Sequence, residues 1–251
     1  MKKILITLGA VTMLGINVQQ VRAQKLGDVL NTVLGSGKGS SNTGNSGSLT
    51  NSQVVSGLKE ALRIGANNAS GKLSLTDGFF KNAAIKILMP PEAQQVERTL
   101  RSVGLGSVVD KAILSMNRAA EDAAKQAAPI FINAITSMTL QDGFSILQGG
   151  NNAATMFLQN KTTAALTTAF RPVINKSLDK VGATKLWNTV FTTYNKLPMV
   201  AKKVNPDLSN YVVERSLNGM FQTIAQEELK IRTDPAAQVT GLLKQVFGKK
   251  K

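Results

Sequence analysis

Neither cysteine nor histidine occurs anywhere in this chain. The first absence excludes disulfides, zinc thiolate sites, a thiol nucleophile and attachment through an acylated cysteine at a processing site. The second removes the imidazole that serves most often as general base and as metal ligand near neutral pH. Aromatic residues are scarce, with one tryptophan and two tyrosines. Stacking platforms of the kind that read nucleic acid therefore have little to be built from, and nucleic acid is disfavoured as a partner. Acidic residues are few as well, 15 against 30 lysines and arginines. No apolar run after the first 23 residues approaches the about 20 residues that a membrane helix needs.

The beginning of the chain reads as a processing signal. Met1, Lys2 and Lys3 give a basic start, Ile4 to Val18 is mostly apolar, and Val21-Arg22-Ala23 places small residues before Gln24. Residues 1–23 are therefore expected to be removed near Ala23, which puts the mature chain in the periplasm or outside the cell, with no transmembrane segment after processing. Losing Lys2, Lys3 and Arg22 leaves 27 basic residues against 15 acidic, a net charge of +12. The span 161–203 is the most lopsided, with Lys161, Arg171, Lys176, Lys180, Lys185, Lys196, Lys202 and Lys203 opposed by Asp179 alone. Lys176, Lys180, Lys185, Lys202 and Lys203 form a candidate basic surface for an anionic lipid, an acidic glycan or another envelope protein. The plainer reading is a solvated face that maintains solubility.

Composition divides the remainder of the chain. Lys25 to Leu34 carries Leu26, Val29, Leu30, Val33 and Leu34 at helical spacing, so residues 24–34 form a short amphipathic helix. Residues 35–52, "GSGKGSSNTGNSGSLTNS", have the composition of a flexible linker. Residues 53–248 form a single domain and 249–251 a basic tail. Within the domain the apolar period is helical throughout: Val54, Leu58, Ala61, Leu62 and Gly65; Phe79, Phe80, Ala83 and Ile87; Val108, Ile113, Met116, Ala120, Ala127 and Phe131. Pro91 suits a first helical turn, while Pro129 and Pro172 fall inside helical patterns and should kink or break them. Later helices are expected over 152–180, 184–195, 209–231 and 235–247. The fold class is all-α, a bundle of roughly eight to ten helices, some long and kinked.

"SLTDGF" at 74–79 and "TLQDGF" at 139–144 share one pattern. Ser74 with Asp77, and Thr139 with Asp142, fit capping boxes, in which a hydroxyl and a carboxylate three residues on satisfy amide hydrogens at a helix start. Site carboxylates at Asp77 and Asp142 from a duplicated unit are the functional alternative. Asp234-Pro235 is a third start signal.

Two helices set charged groups beside their apolar stripe. On a wheel centred on Ala120, Asn117 and Glu121 lie about 60 and 100 degrees away, at the edge of the buried face. Arg118 can reach Glu121 or Asp122 on its own helix. After Ser209, Val213, Leu217, Met220, Ile224 and Ile231 define a second stripe, with Glu227 and Glu228 about 60 and 40 degrees to either side. A carboxylate there needs a cation or hydrogen-bond donors, and Arg232, Arg118, Arg171 and Arg98 are the candidates. A structural ion pair, a polar ligand pocket and a catalytic carboxylate all remain open readings of this cluster. Against catalysis, no phosphate loop, dinucleotide glycine pattern or serine elbow occurs. The chain is not expected to be an enzyme, and no cofactor or metal is expected.

"MNRAAEDAAKQAAPIF" from Met116, "AAT" at 153–155 with "KTTAAL" and "FRP" through Pro172, and "EELKIRTDPAAQVTGLLKQVF" from Glu227 together resemble the domain of unknown function 4197 family. The resemblance covers Gln53 to Phe247. It implies an exported bacterial helical protein without an assigned activity, and it points to Asn117, Arg118, Glu121, Asp142, Thr155, Glu228, Arg232 and Asp234. In the family pattern an acidic residue and an aromatic follow the Ala-Ala-Thr step, whereas Met156 and Phe157 stand here. The expected role is a binding protein of the bacterial cell envelope, a monomer or weak oligomer. The alternative is a small-ligand carrier or carboxylate-dependent hydrolase with a polar cleft around Glu121 and Glu228.

Overall fold

A computed structural model describes residues 50–196, 203, 207–238 and 240–247. The expected signal peptide, short helix, most of the linker, Lys202 and the basic tail lie outside the described residues. All regular structure among the described residues is helical. The α-helices are α1 (Asn51–Leu73), α2 (Gln94–Ser102), α3 (Gly106–Ala124), α4 (Ala127–Thr136), α5 (Leu140–Gln148), α6 (Ala153–Asp179), α7 (Ala183–Tyr194), α8 (Leu208–Thr233) and α9 (Gly241–Phe247). Short 3-10 turns at Pro91–Ala93 and Pro235–Ala237 precede α2 and α9.

α6 is the central rod. Leu158, Thr162, Leu166, Phe170, Ile174 and Leu178 are buried at every fourth position. Each step of four overshoots a full turn by about 40 degrees, so the buried stripe winds around the helix. That suits a helix packed by α3, α4 and α8 on different sides. Against it α3 presents Ala119, Ala120, Ala123 and Ala124, all fully buried, and such small side chains let helix axes come close. The edge of one ring meets the face of another where Phe131 of α4 touches Phe221 of α8, with centroids 6.0 Å apart.

The prolines behave differently from one another. Pro129 is the third residue of α4, where no helical N–H is required, and the break falls before it at Lys125-Gln126. α6 passes through Pro172 without interruption. The expected helix over 235–247 is divided into a 3-10 turn and α9. α1 starts two residues inside the span read as linker, because Thr50 and Gln53 form a capping box ahead of it.

The larger departure is at 74–90, where helical spacing of Phe79, Phe80, Ala83 and Ile87 predicted a helix. The segment is instead a series of turns over 74–85 followed by irregular chain over 86–90. Ser74 terminates α1, its hydroxyl donating to the Gly71 carbonyl, so it is not the N-cap expected. Asp77 takes φ +70, the left-handed conformation. Gly78 presses on the end of α1 so closely that a Cβ would lie 2.6 Å from the Lys72 carbonyl oxygen. Phe79 and Ile87 are nevertheless fully buried. Phe80 is half-buried and Ala83 exposed, so the apolar period marked burial at two of its four positions and was wrong about helix.

Candidate functional site

A turn segment pressed into a core has amide and carbonyl groups that cannot reach water, and each must find a partner. α3 supplies two. The Asn117 side-chain oxygen accepts from Ile87 N at 2.9 Å, and its amide nitrogen donates to Ile87 O at 2.8 Å and Ile113 O at 2.7 Å. One turn later, Glu121 Oε1 accepts from Phe79 N and Phe80 N, both at 3.1 Å. Its Oε2 accepts from Arg118 at 2.6 Å, and Arg118 also donates to Asp77 at 2.7 Å. Asp77 pairs in addition with Lys81 at 2.8 Å. Hydrogen bonds from Lys81 and then Arg118 hold the Asp77 carboxyl below the ordinary range. The same pairing, led by Glu121, raises the Arg118 guanidinium. So Asn117 and Glu121, spaced one helical turn apart, act on the backbone of the 74–90 segment.

Glu228 of α8 performs a related task elsewhere. Its carboxylate accepts from Ala154 N at 3.1 Å, Thr155 N at 2.9 Å and the Thr155 hydroxyl at 2.8 Å. These amides open α6, whose own N-cap residue, Asn152, makes no side-chain cap bond. Glu228 thus does from a distant helix what an N-cap side chain normally does, and its charge faces the positive end of the α6 dipole. Arg232 donates to Glu228 at 2.9 Å and to Ile146 O near the end of α5 at 3.0 Å. One ion pair closes the end of α5 and the beginning of α6 together.

The remaining expected cluster members lie apart from these two nodes. Asp142 caps α5 in a box with Thr139, which holds its carboxyl below the ordinary range through the Thr139 amide and hydroxyl. Arg171 donates to Asn210 at 2.9 Å, with Asp207 3.8 Å away, and Arg98 donates to Gln95. Glu227 is half-buried and pairs with Lys230 at 3.0 Å. Asp234 accepts from Ala236 N at the start of the Pro235–Ala237 turn. The expected cleft joining Glu121 and Glu228 is therefore replaced by two closed nodes with no partner in common. The cavity touching Glu228 and Arg232 has a volume of about 20 Å³ and is otherwise lined by apolar side chains. That is room for about one water.

Sequence reasoning found Asn117, Arg118, Glu121, Glu228 and Arg232 but not what the acids bind. Their partners are main-chain amides, which leave no mark on a residue pattern. It also missed Ile87 as the acceptor and donor for Asn117, and Tyr211, whose hydroxyl donates to Leu88 O at 2.8 Å.

Among the described residues, no three acids gather so as to hold a metal ion, and no helix is long and apolar enough to cross a membrane. A different feature lies at the surface between α3 and the α6–α7 turn. There an open groove of about 490 Å³ is bordered by Lys111, Arg118 and Lys180 over an apolar floor. Lys176, Lys180, Lys185 and Lys203 are exposed.

The architecture defines an all-α helical domain whose buried acids secure main-chain ends. The chain belongs to the family described as protein of unknown function (DUF4197), whose model matches residues 48–248. No curated protein and no solved structure matches it.

Proposed function

We propose that the protein acts by binding rather than by chemistry, at the bacterial cell envelope, through a basic surface on the second half of α6 and on α7 that meets an anionic partner. The observation that carries this reading is the unequal fate of the two signs of charge. Asp77, Glu121, Asp122, Asp142, Glu227, Glu228 and Asp234 are each engaged by a cation or a helix end within the fold, while Asp179, exposed between Lys176 and Lys180, has no such partner among the described residues. The ammonium groups of Lys111, Lys176, Lys180 and Lys185 make no hydrogen bond or ion pair among the described residues. The excess positive charge is thereby left at the surface, where it attracts polyanions. The leader-like residues 1–23 support an extracytoplasmic location.

The carrier or hydrolase alternative centred on Glu121 and Glu228 draws no support from their surroundings. Both carboxylates are fully engaged by donors within the fold, and the cavity beside Glu228 holds about one water.

Retention of the protein on phosphatidylglycerol vesicles tests the reading. A cation near an anionic surface contributes about 1 kcal/mol, so reversing Lys176, Lys180 and Lys185 to Glu should weaken retention at least a hundredfold, as should a rise to about 0.5 M salt. Retention equal on phosphatidylcholine, or indifferent to salt, would refute it.

A further inference from the structure

The groove between α3 and the α6–α7 turn combines two properties that rarely coincide on a solvated face. Its floor includes Val108 and Ala112 of α3 and, from the opposite wall, Val181, Ala183 and Leu186. Val181 and Leu186 leave 63% and 53% of their surface in solvent. Covering such apolar surface is favourable at about 25 cal/mol per Å². The charged groups along the groove are Lys111, Arg118 and Lys180 against Asp122 alone. Asp122 is already held by Lys125 at 2.9 Å and by the Ser177 hydroxyl at 3.0 Å, bonds that keep its carboxyl below the ordinary range. Arg118 is likewise engaged, by Glu121 and Asp77. Lys111 and Lys180 are in no ion pair among the described residues and can meet a ligand, Lys180 adding its charge to those that lower the Asp122 carboxyl.

Size chooses among occupants. A volume of about 490 Å³ falls within the roughly 300–1,000 Å³ of small-molecule pockets. A stable protein partner would need about 20–30 residues a side, and a dozen line this groove. None of those residues is aromatic, which leaves nucleobases without a stacking surface. We infer that the groove binds a single-chain anionic amphiphile, with the hydrocarbon chain along Val108, Ala112, Val181 and Leu186 and the anionic head between Lys111 and Lys180. This rests on the basic-surface reading only for the sign of the partner's charge; the site and its apolar requirement are its own.

The test is titration of the whole protein with dansyl-labelled undecanoate, followed by competition with hexadecanoate. Saturable binding is expected, with displacement by hexadecanoate at least about tenfold more effective than by hexadecanol or hexadecyltrimethylammonium, a difference of about 1.4 kcal/mol. Ala112→Trp, which fills the groove, and Val181→Asp, which places a like charge at an exposed position, should each weaken binding at least about tenfold with unchanged thermal melting. Lys176→Glu with Lys185→Glu, outside the groove, should leave this affinity intact while reducing vesicle retention, so the two proposals fail separately. The groove assignment is overturned by an absence of saturable binding, by equal competition from the cationic surfactant, or by full affinity in both groove variants. Displacement by a peptide of residues 24–34 but not by hexadecanoate overturns it too.

Discussion

Asn117 offers its whole amide to the main chain, accepting from one peptide unit of Ile87 and donating to the next. Asn117→Leu should therefore leave a buried N–H and C=O unpaired and lower stability by about 3 kcal/mol in urea unfolding. Were the asparagine only filling space, leucine would be neutral. Glu228→Gln tests the second node. One amide oxygen cannot replace two carboxylate oxygens that accept from two amides, a hydroxyl and Arg232. A loss of about 2 kcal/mol with unaltered helical circular dichroism is expected; unchanged stability would deny Glu228 its structural role. Acid behaviour draws on the lowered carboxyls of Asp77, Asp122 and Asp142. Because folding lowers these values, their contribution is complete above the ordinary aspartate value of about 3.9 and disappears as pH falls through the lower folded-state values. Asp142→Asn should therefore reduce stability at pH 6 and flatten its decline below about pH 4, measured by chemical denaturation on both sides of that pH.

At the scale of elements, the 74–90 segment depends on close approach to α8. A Cβ on Gly219 would lie 2.7 Å from Phe79 Cε1 and 3.2 Å from Ile85 Cβ. Phe79 is fully buried and cannot withdraw, so Gly219→Ala should cost about 1–3 kcal/mol. Gly71, exposed in α1 with nothing near its missing Cβ, makes the control. Gly71→Ala should raise stability by about 0.5–1 kcal/mol, read from thermal or urea midpoints. The same segment marks where the sequence was hard to read. α6, α7 and α8 were anticipated to within a few residues because their stripes are long and their ends carry turn signals. "SLTDGF" and "TLQDGF" looked alike and are not, since Ser74 ends one helix and Thr139 begins another. What separates them is a left-handed Asp77 and a carboxylate arriving from Glu121, more than forty positions along the chain. The apolar period tells which stretches press into the core, although Ala83 and Val108 within them stay exposed. It is silent about which distant group will meet an uncovered amide.

Over the whole molecule, charge and burial are linked. Two acids, Glu121 and Glu228, are buried on guanidinium groups and main-chain amides, while Lys111, Lys176, Lys180 and Lys185 stay at the surface. The all-helix class and the net basic character were legible in composition and period, whereas the groove was not. Ala112 and Val181, its opposed walls, are 69 positions apart in the sequence, and only the packing of α3 against α6 brings them together. The cation Lys111 carries no local sign of its neighbour Lys180 for the same reason.

The Glu228 contact also orders events in time. Its carboxylate lies 73 and 74 positions beyond the amides it closes. A chain synthesised from its amino end therefore makes the central rod long before it makes the group that seals that rod's first turn. Fragments ending short of Leu208 should exchange the amide protons of Ala154 and Thr155 rapidly, and the complete chain should protect them. A product cut off before α8 is thus left with an open helix end at Ala154 and Thr155.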